Sequence, residues 1–307
     1  MAQTNRTLVE ALQHTTNTHH SANTVARIVW AGIANPGDTL AGALTQTVGH
    51  EYALEILLNS TGDFAAGIPL THIRKVASER FSVKNAVRAI NATQRKGYTL
   101  LTPERAGWPE LVEGLGFAMP HALWVRGDTT LFNRGPVTVT GSRACTTYGR
   151  HVCLELASGL AQRGYTIVTG ASYGIDTYAA RAALALDCPT IAVLAGGVDQ
   201  FYPTGNQLML SRIAKTGALV SELPPGTPPA RFQQRNRLTA ALAEKTIVIE
   251  AEDTVGALST ALIAKELGRG IGAVPGMIIS PQSVGCNTLI RNHGAVPITT
   301  ITDADWL

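Results

Sequence analysis

Two rhythms of apolar residues divide the chain. Between Val25 and Lys96 apolar residues recur at helical spacing, as in Ala53, Leu54, Leu57 and Leu58, or Val83, Val87 and Ile90. Gly49, Gly62, Gly67 and Pro69 interrupt this run, which predicts a small all-helical N-terminal domain of four or five short helices over 25–96. Residues 1–24, rich in Thr, Asn, Gln and His, read as a flexible tail with one short helix at Leu8–Gln13. The rhythm changes at Gly97. Tyr98–Leu101 and Leu123–Arg126 are short β-like runs, an entry segment that adds strands to a sheet. From Val137 onward apolar runs alternate with amphipathic helices. Strands are predicted at 137–140, 165–169, 190–194, 218–220, 246–250 and 271–274. Helices are predicted at 148–163, 175–186, 206–215, 235–243 and 258–267. This alternation implies an α/β fold over 97–307, a Rossmann-like parallel sheet with helices on both faces.

Composition narrows the function classes. The 307 residues are 45% hydrophobic and 15% charged, enough apolar surface for a core and too much for wholesale disorder. A net charge of +3 permits nucleic-acid binding through a local patch without requiring it. The four cysteines form no CxxC pair and the eight histidines are scattered, so neither a zinc site nor any other metal or cofactor is expected. No apolar run reaches the ~18 residues of a membrane span, and the first 20 residues lack the apolar core of a secretory signal. A cytoplasmic protein that makes no use of a membrane is the expectation.

In an open parallel sheet, ligands bind beyond the carboxyl ends of the strands, so the residues after each strand are the candidates. Gly141-Ser142-Arg143 follows the first strand of the alternation. Gly141 admits a close backbone approach, Ser142 offers a hydroxyl, and Arg143 can clamp a phosphate. In the next loop Gly170 and Gly174 flank Ser172 and Tyr173 ahead of a helix, a backbone cradle suited to an anion. That loop is neither a dinucleotide fingerprint nor a Walker A motif. Asp176 either caps this helix or holds a hydroxyl. Between 205 and 245, six basic residues stand against two acidic ones, and Arg235, Asn236 and Arg237 follow the ring of Phe232. That pattern suits a groove that tracks a phosphate backbone and stacks a base. Glu250 and Glu252 end a later strand, with Gly256 and Thr260 opening the next helix. The carboxylates suit either acid–base work or ion pairing with Arg235 or Arg237, and a base or sugar hydroxyl is a further partner for Glu250.

Taken together, these loops resemble the DprA/Smf family of DNA-processing proteins. The matching pieces include Val139-Thr140-Gly141-Ser142-Arg143, Thr169-Gly170 with Gly174-Ile175-Asp176, Tyr202-Pro203, Phe232 with Arg235-Asn236-Arg237, Val274-Pro275-Gly276 and Gly285-Cys286-Asn287, all in the family's order. Trp108-Pro109 and Leu123–Gly127 resemble its lead-in, and the likeness covers about residues 25–297. The resemblance implies a protein that binds single-stranded DNA in a basic pocket, forms a homodimer, and loads a RecA-type recombinase during DNA uptake. It also implies binding without catalysis. By resemblance Arg143 is the phosphate-binding arginine, Gly170 and Gly174 form the second cradle, and Arg235, Asn236 and Arg237 line the opposite side. Three departures stand out. Tyr173 replaces a basic residue, Ala180 replaces a histidine, and the winged helix that ends many members is missing, so a shortened member is expected. Two other functions compete. One is an N-glycosidic hydrolase acting on nucleotides or modified nucleosides, with Glu250 and Asp176 as its catalytic pair. The other is a nucleotide-sensing module.

Overall fold

Polar caps start the first three N-terminal helices in the computed structural model, which describes residues 7–95, 97–253 and 255–307. Thr7 and Glu10 form a reciprocal capping box at the head of α1 (Leu8–Thr16). Ser21 caps α2 (Ala22–Ile33), and the Asp38 carboxylate accepts from the Leu40 and Ala41 amides to start α3 (Thr39–Val48). Then come α4 (His50–Asn59), a two-residue hairpin of β1 (Phe64–Ala65) and β2 (Ile68–Pro69), α5 (Thr71–Arg80) and α6 (Val83–Thr93). Trp30, Leu44, Leu54, Leu70 and Ile90 fill the core of this layer.

Two features depart from the sequence expectation. The hairpin interrupts the helical run, because Gly67 takes a positive φ of 78° and turns the chain back on itself. The expected tail is packed from Leu8 onward: the helix expected at Leu8–Gln13 is present as α1, runs on to Thr16, packs on α2 and α6 and buries Val9, Leu12 and Thr16. Residues 1–6 of that tail lie outside the described residues.

The rest of the chain builds one nine-stranded sheet. Its elements are β3 (Thr99–Leu101), β4 (Leu123–Gly127), β5 (Pro136–Thr140), α7 (Thr147–Gln162), β6 (Thr166–Thr169), α8 (Ile175–Ala185), β7 (Thr190–Val193), α9 (Gln207–Thr216) and β8 (Ala218–Ser221). They continue with α10 (Phe232–Ala241), β9 (Lys245–Val248), α11 (Val255–Glu266), β10 (Gly270–Ala273), α12 (Pro281–His293) and β11 (Val296–Pro297). The order across the sheet is β11-β10-β9-β5-β6-β7-β8-β4-β3. The strands from β11 to β8 run parallel, whereas β4 and β3 extend the edge antiparallel.

Strand alternation divides the core between the two faces. Val137, Val139 and Ile167 pack with α7 and α8, while Val168, Ile191 and Val193 pack with α10. In β4, Leu123 and Val125 join the α10 face, and Trp124 turns to the opposite side. There its indole N–H donates to Thr93 Oγ1 at 2.9 Å, tying the N-terminal helices to the sheet. Two elements, α12 and β11, were not anticipated. Every described helix is too short or too polar to cross a membrane.

The connectivity fixes where a ligand can sit. The chain steps outward from β5 through β6 and β7 to β8, then returns through α10 to place β9 on the other side of β5. The carboxyl ends of β5 and β9 therefore splay around a topological switch point, where such sheets open a crevice.

Candidate functional site

A crevice of about 450 Å³ opens at that switch point. The loop after β5 supplies Gly141, Ser142 and Arg143, the loop after β6 supplies Ser172, α8 supplies Asp176, and α10 supplies Arg235 and Asn236. Gly256 and Thr260 of α11 complete the wall, with Glu252 beside them. Thus most of the sequence-derived candidates converge here.

The first loop is held from below. The Ser142 amide donates to the Glu250 carbonyl at 2.7 Å, and the Ile175 amide donates to the Ser142 carbonyl at 3.1 Å. Gly174 links this loop to α8: its φ of 74° lies in the region glycine favours, and a Cβ there would overlap the carbonyls of Ser142 and Arg143. Arg143 is left exposed, its guanidinium 5.7 Å from the centre of the Phe232 ring. Among the described residues no carboxylate lies within 4 Å of it.

The floor is a buried network. Asp176, 4% exposed, accepts from Thr140 Oγ1 at 2.8 Å and from the Ser172 amide at 3.2 Å. Burial pushes its carboxyl up from the ordinary range, while the nearby Arg235 guanidinium and these hydrogen bonds pull it back. Arg235 is 5% exposed. It donates to the Val193 carbonyl at 2.8 Å and to Ser172 Oγ at 3.4 Å, and its Nε has no partner. Gly170 serves this arrangement as packing space, since a Cβ there would overlap the Arg235 guanidinium. Asn206 locks the same loop from behind, donating to the Ala171 carbonyl at 3.0 Å and to Thr177 Oγ1 at 2.7 Å. Asn236 bridges α10 to α11 by donating to the Gly256 carbonyl and Ser259 Oγ.

A second, smaller hollow of about 90 Å³ adjoins the crevice and shares Arg143, Ser172 and Phe232 with it. Its walls are aromatic. Tyr202 and Phe232 rings stand 5.5 Å apart, and Tyr173, 49% exposed, accepts from the Gly205 amide through its hydroxyl at 3.4 Å. Tyr202 was not among the candidate site residues. The available signal was its place in Phe201-Tyr202-Pro203, in the loop after β7.

Two candidates sit elsewhere. Arg237 points away from the crevice and pairs both guanidinium nitrogens with the Glu222 carboxylate, at 2.6 and 2.5 Å; both residues are buried. One step along a helix of 3.6 residues per turn separates it by about 100° from its neighbour Asn236. Glu250 is likewise engaged. Its carboxylate accepts from the Thr146 amide at 2.8 Å and the Thr146 hydroxyl at 2.5 Å, anchoring the residue that caps α7. Among the described residues it pairs with neither Arg235 nor Arg237, and it is not among the residues that line the crevice, where Asp176 is. The carboxylate at the strand end that does line the crevice is Glu252.

Comparison with known proteins gives a consistent set of relatives. Residues 99–305 match the model of the DNA recombination-mediator protein A family. A DNA processing protein DprA of Mycobacterium tuberculosis is 43% identical over 238 residues, covering 73% of this chain and 61% of its own length. The Bacillus subtilis DNA processing protein DprA is 33% identical over 219 residues, 70% of this chain and 73% of its own. The chain thus spans under two thirds of the length of the mycobacterial relative. Among solved structures, the DNA processing protein A of Streptococcus pneumoniae superposes with a TM-score of 0.75 at 27% identity, over 94% of this chain and 98% of its own. A DNA processing protein A from Helicobacter pylori, solved for its single-stranded DNA binding mode, gives 0.61 at 29% identity over 67% and 93% of the two chains.

Proposed function

The chain belongs to the DNA recombination-mediator protein A family, the DprA/Smf proteins, and on that premise we propose that its crevice and aromatic hollow together hold single-stranded DNA. The observation that carries this reading is Arg143. An exposed guanidinium with no carboxylate partner among the described residues lies over Phe232 where the two cavities meet, so a phosphate on one side and an unstacked base on the other meet one residue pair. The hydroxyls of Ser142 and Ser172 supply neutral donors, and Tyr173, Tyr202 and Phe232 supply rings. Tyr173 thus replaces a charged phosphate contact with a stacking surface.

In this reading Gly141, Ser142, Arg143, Ser172, Tyr173, Gly256 and Thr260 meet the strand, Asn236 shapes the rim, and Gly170, Gly174, Asp176 and Arg235 hold the floor. The working protein is a cytoplasmic homodimer that passes the strand to a RecA-type recombinase, with 25–96 as its helical unit and 97–307 as its DNA-binding unit. Stacking requires unpaired bases, whereas phosphate contacts alone do not discriminate.

Competition for bound oligo-dT by equal concentrations of single-stranded and duplex oligonucleotide tests the reading, run beside an assay for free base released from nucleotides or DNA. Displacement by the single strand alone, with no base released, is the expected result. Equal displacement would remove the stacking argument. Release of base would replace binding with hydrolysis, for which Asp176 and Glu252 are the crevice carboxylates.

A further inference from the structure

A second cavity system lies across one loop from the aromatic hollow. Residues 224–231 form a proline-rich strap, pinned to the loop after β7 by three backbone hydrogen bonds and one to a side chain. The Gly197 amide donates to the Thr227 carbonyl at 2.9 Å, the amides of Ala230 and Arg231 both donate to the Ala195 carbonyl at 3.2 Å, and the Gly226 amide donates to Asp199 Oδ1 at 2.8 Å. On one side of the strap Pro229 lines the hollow, next to Phe232. On the other side Pro225 and Arg231 line a groove of about 420 Å³, whose far wall is made by α2, α5 and α6.

That groove is basic. Arg80, Arg88 and Arg231 line it against the single carboxylate Glu79. Among the described residues none of the three arginines has a carboxylate within 4 Å. Arg80 makes one long contact, to the Ala34 carbonyl at 3.5 Å. Burial and the neighbouring Arg231 charge hold the Arg80 guanidinium below its ordinary range, with Glu79 and Asp38 opposing. The α5–α6 segment adds to this field. Between 71 and 93 it carries five basic residues, Arg74, Lys75, Arg80, Lys84 and Arg88, and one acidic residue, Glu79. Its excess of four exceeds the +3 of the whole chain. Like charges gathered along a groove cost folding energy, and a polyanion laid along them offsets that cost.

We propose that this groove is a second stretch of the single-stranded DNA path: a strand leaving the aromatic hollow past Phe232 crosses the strap and lays its phosphates along Arg231, Arg80 and Arg88. The inference rests on the crevice reading above and extends it to the N-terminal helices, which then clamp the strand from the side opposite the sheet. Phe81 and the strap prolines give the groove apolar walls against which bases can lie.

The test compares two lengths of oligo-dT, about 5 and about 15 nucleotides, within the range of site sizes that single-strand binders cover. Binding to the full chain is followed by fluorescence anisotropy over a salt series, for wild type, Arg80→Ala/Arg88→Ala and Arg80→Lys/Arg88→Lys. Two lost phosphate contacts should flatten the slope of log K against log salt by about 1.4 for the long strand, at ~0.7 per phosphate. The short strand should keep its wild-type slope, and the lysine pair should restore the long-strand slope. If the alanine pair fails to fold, Arg88→Glu replaces it, since Arg88 is exposed on α6. An unchanged long-strand slope overturns the inference and leaves the crevice reading standing. Equal loss on both lengths also overturns it, because the arginines would then act on the crevice itself. Failure of wild type to bind either strand removes both readings.

Discussion

The crevice at the carboxyl ends of the central strands and the contact zone under the N-terminal helices use the same residue types in opposite ways. In that seam, charged and titratable groups close on one another. Arg237 closes on Glu222, Arg27 pairs with Glu104, and His50 packs against both Arg27 and His121. In the crevice Arg143 stands exposed over a ring with no carboxylate partner among the described residues. Arg235 occupies the middle ground, buried beside Asp176 yet hydrogen-bonded mainly to backbone. The contrast sets a charge closed on an internal partner against a charge left open at a cavity. Residue type alone does not distinguish the two.

The largest effect should come from breaking the seam. Glu222→Ala leaves the Arg237 guanidinium buried without its partner, which costs about 3–5 kcal/mol. Urea denaturation should register this loss, while the protein that remains folded binds oligo-dT as wild type does. Wild-type stability in the variant would mean that the pair contributes nothing, and the contrast would fail.

A smaller effect should follow from acid. Burial and neighbouring positive charge hold His50 down at about 2 and His121 at about 3, against an ordinary value of 6.5. Below pH 6.5 the unfolded chain takes up protons that the folded seam refuses. The stability these histidines confer is therefore present above 6.5 and lost as pH falls toward 3. Between pH 7 and 5.5 the loss is about 1 kcal/mol per histidine. Denaturation at the two pH values should show wild type losing that much more than His50→Gln/His121→Gln. Equal losses would place the histidines in water.

Much of this architecture was legible in the alternation of apolar runs. All eight strands read from 98 onward are present, and the loops after β5 and β6 do meet at the switch point. Three kinds of feature were hidden. Short polar segments gave little rhythm: α1, read only as far as Gln13 within a run of Thr, Gln and His, runs on to Thr16, and Gly285 and Asn287 interrupt the apolar pattern of the continuous helix α12. Helix phase was hidden for α10, because its periodicity is weak and its start lies three residues earlier than expected. Arg235 and Arg237 therefore could not be assigned to different surroundings without knowing that both sides of the helix are covered. Partners distant in sequence were also hidden. Nothing local to Glu250 announces that Thr146, 104 residues away, takes both of its oxygens.

The smallest change in energy bears on the central claim most directly. Arg143→Ala removes an exposed side chain that carries no internal ion pair, so the melting temperature should stay at the wild-type value. On oligo-dT the affinity should fall, and the slope of log K against log salt should flatten by about 0.7, the signature of one phosphate contact on a single strand. Anisotropy titrations of wild type and variant across a salt series, paired with thermal melts, read both quantities. An unchanged slope together with a lowered melting temperature would make Arg143 a structural residue and contradict the account.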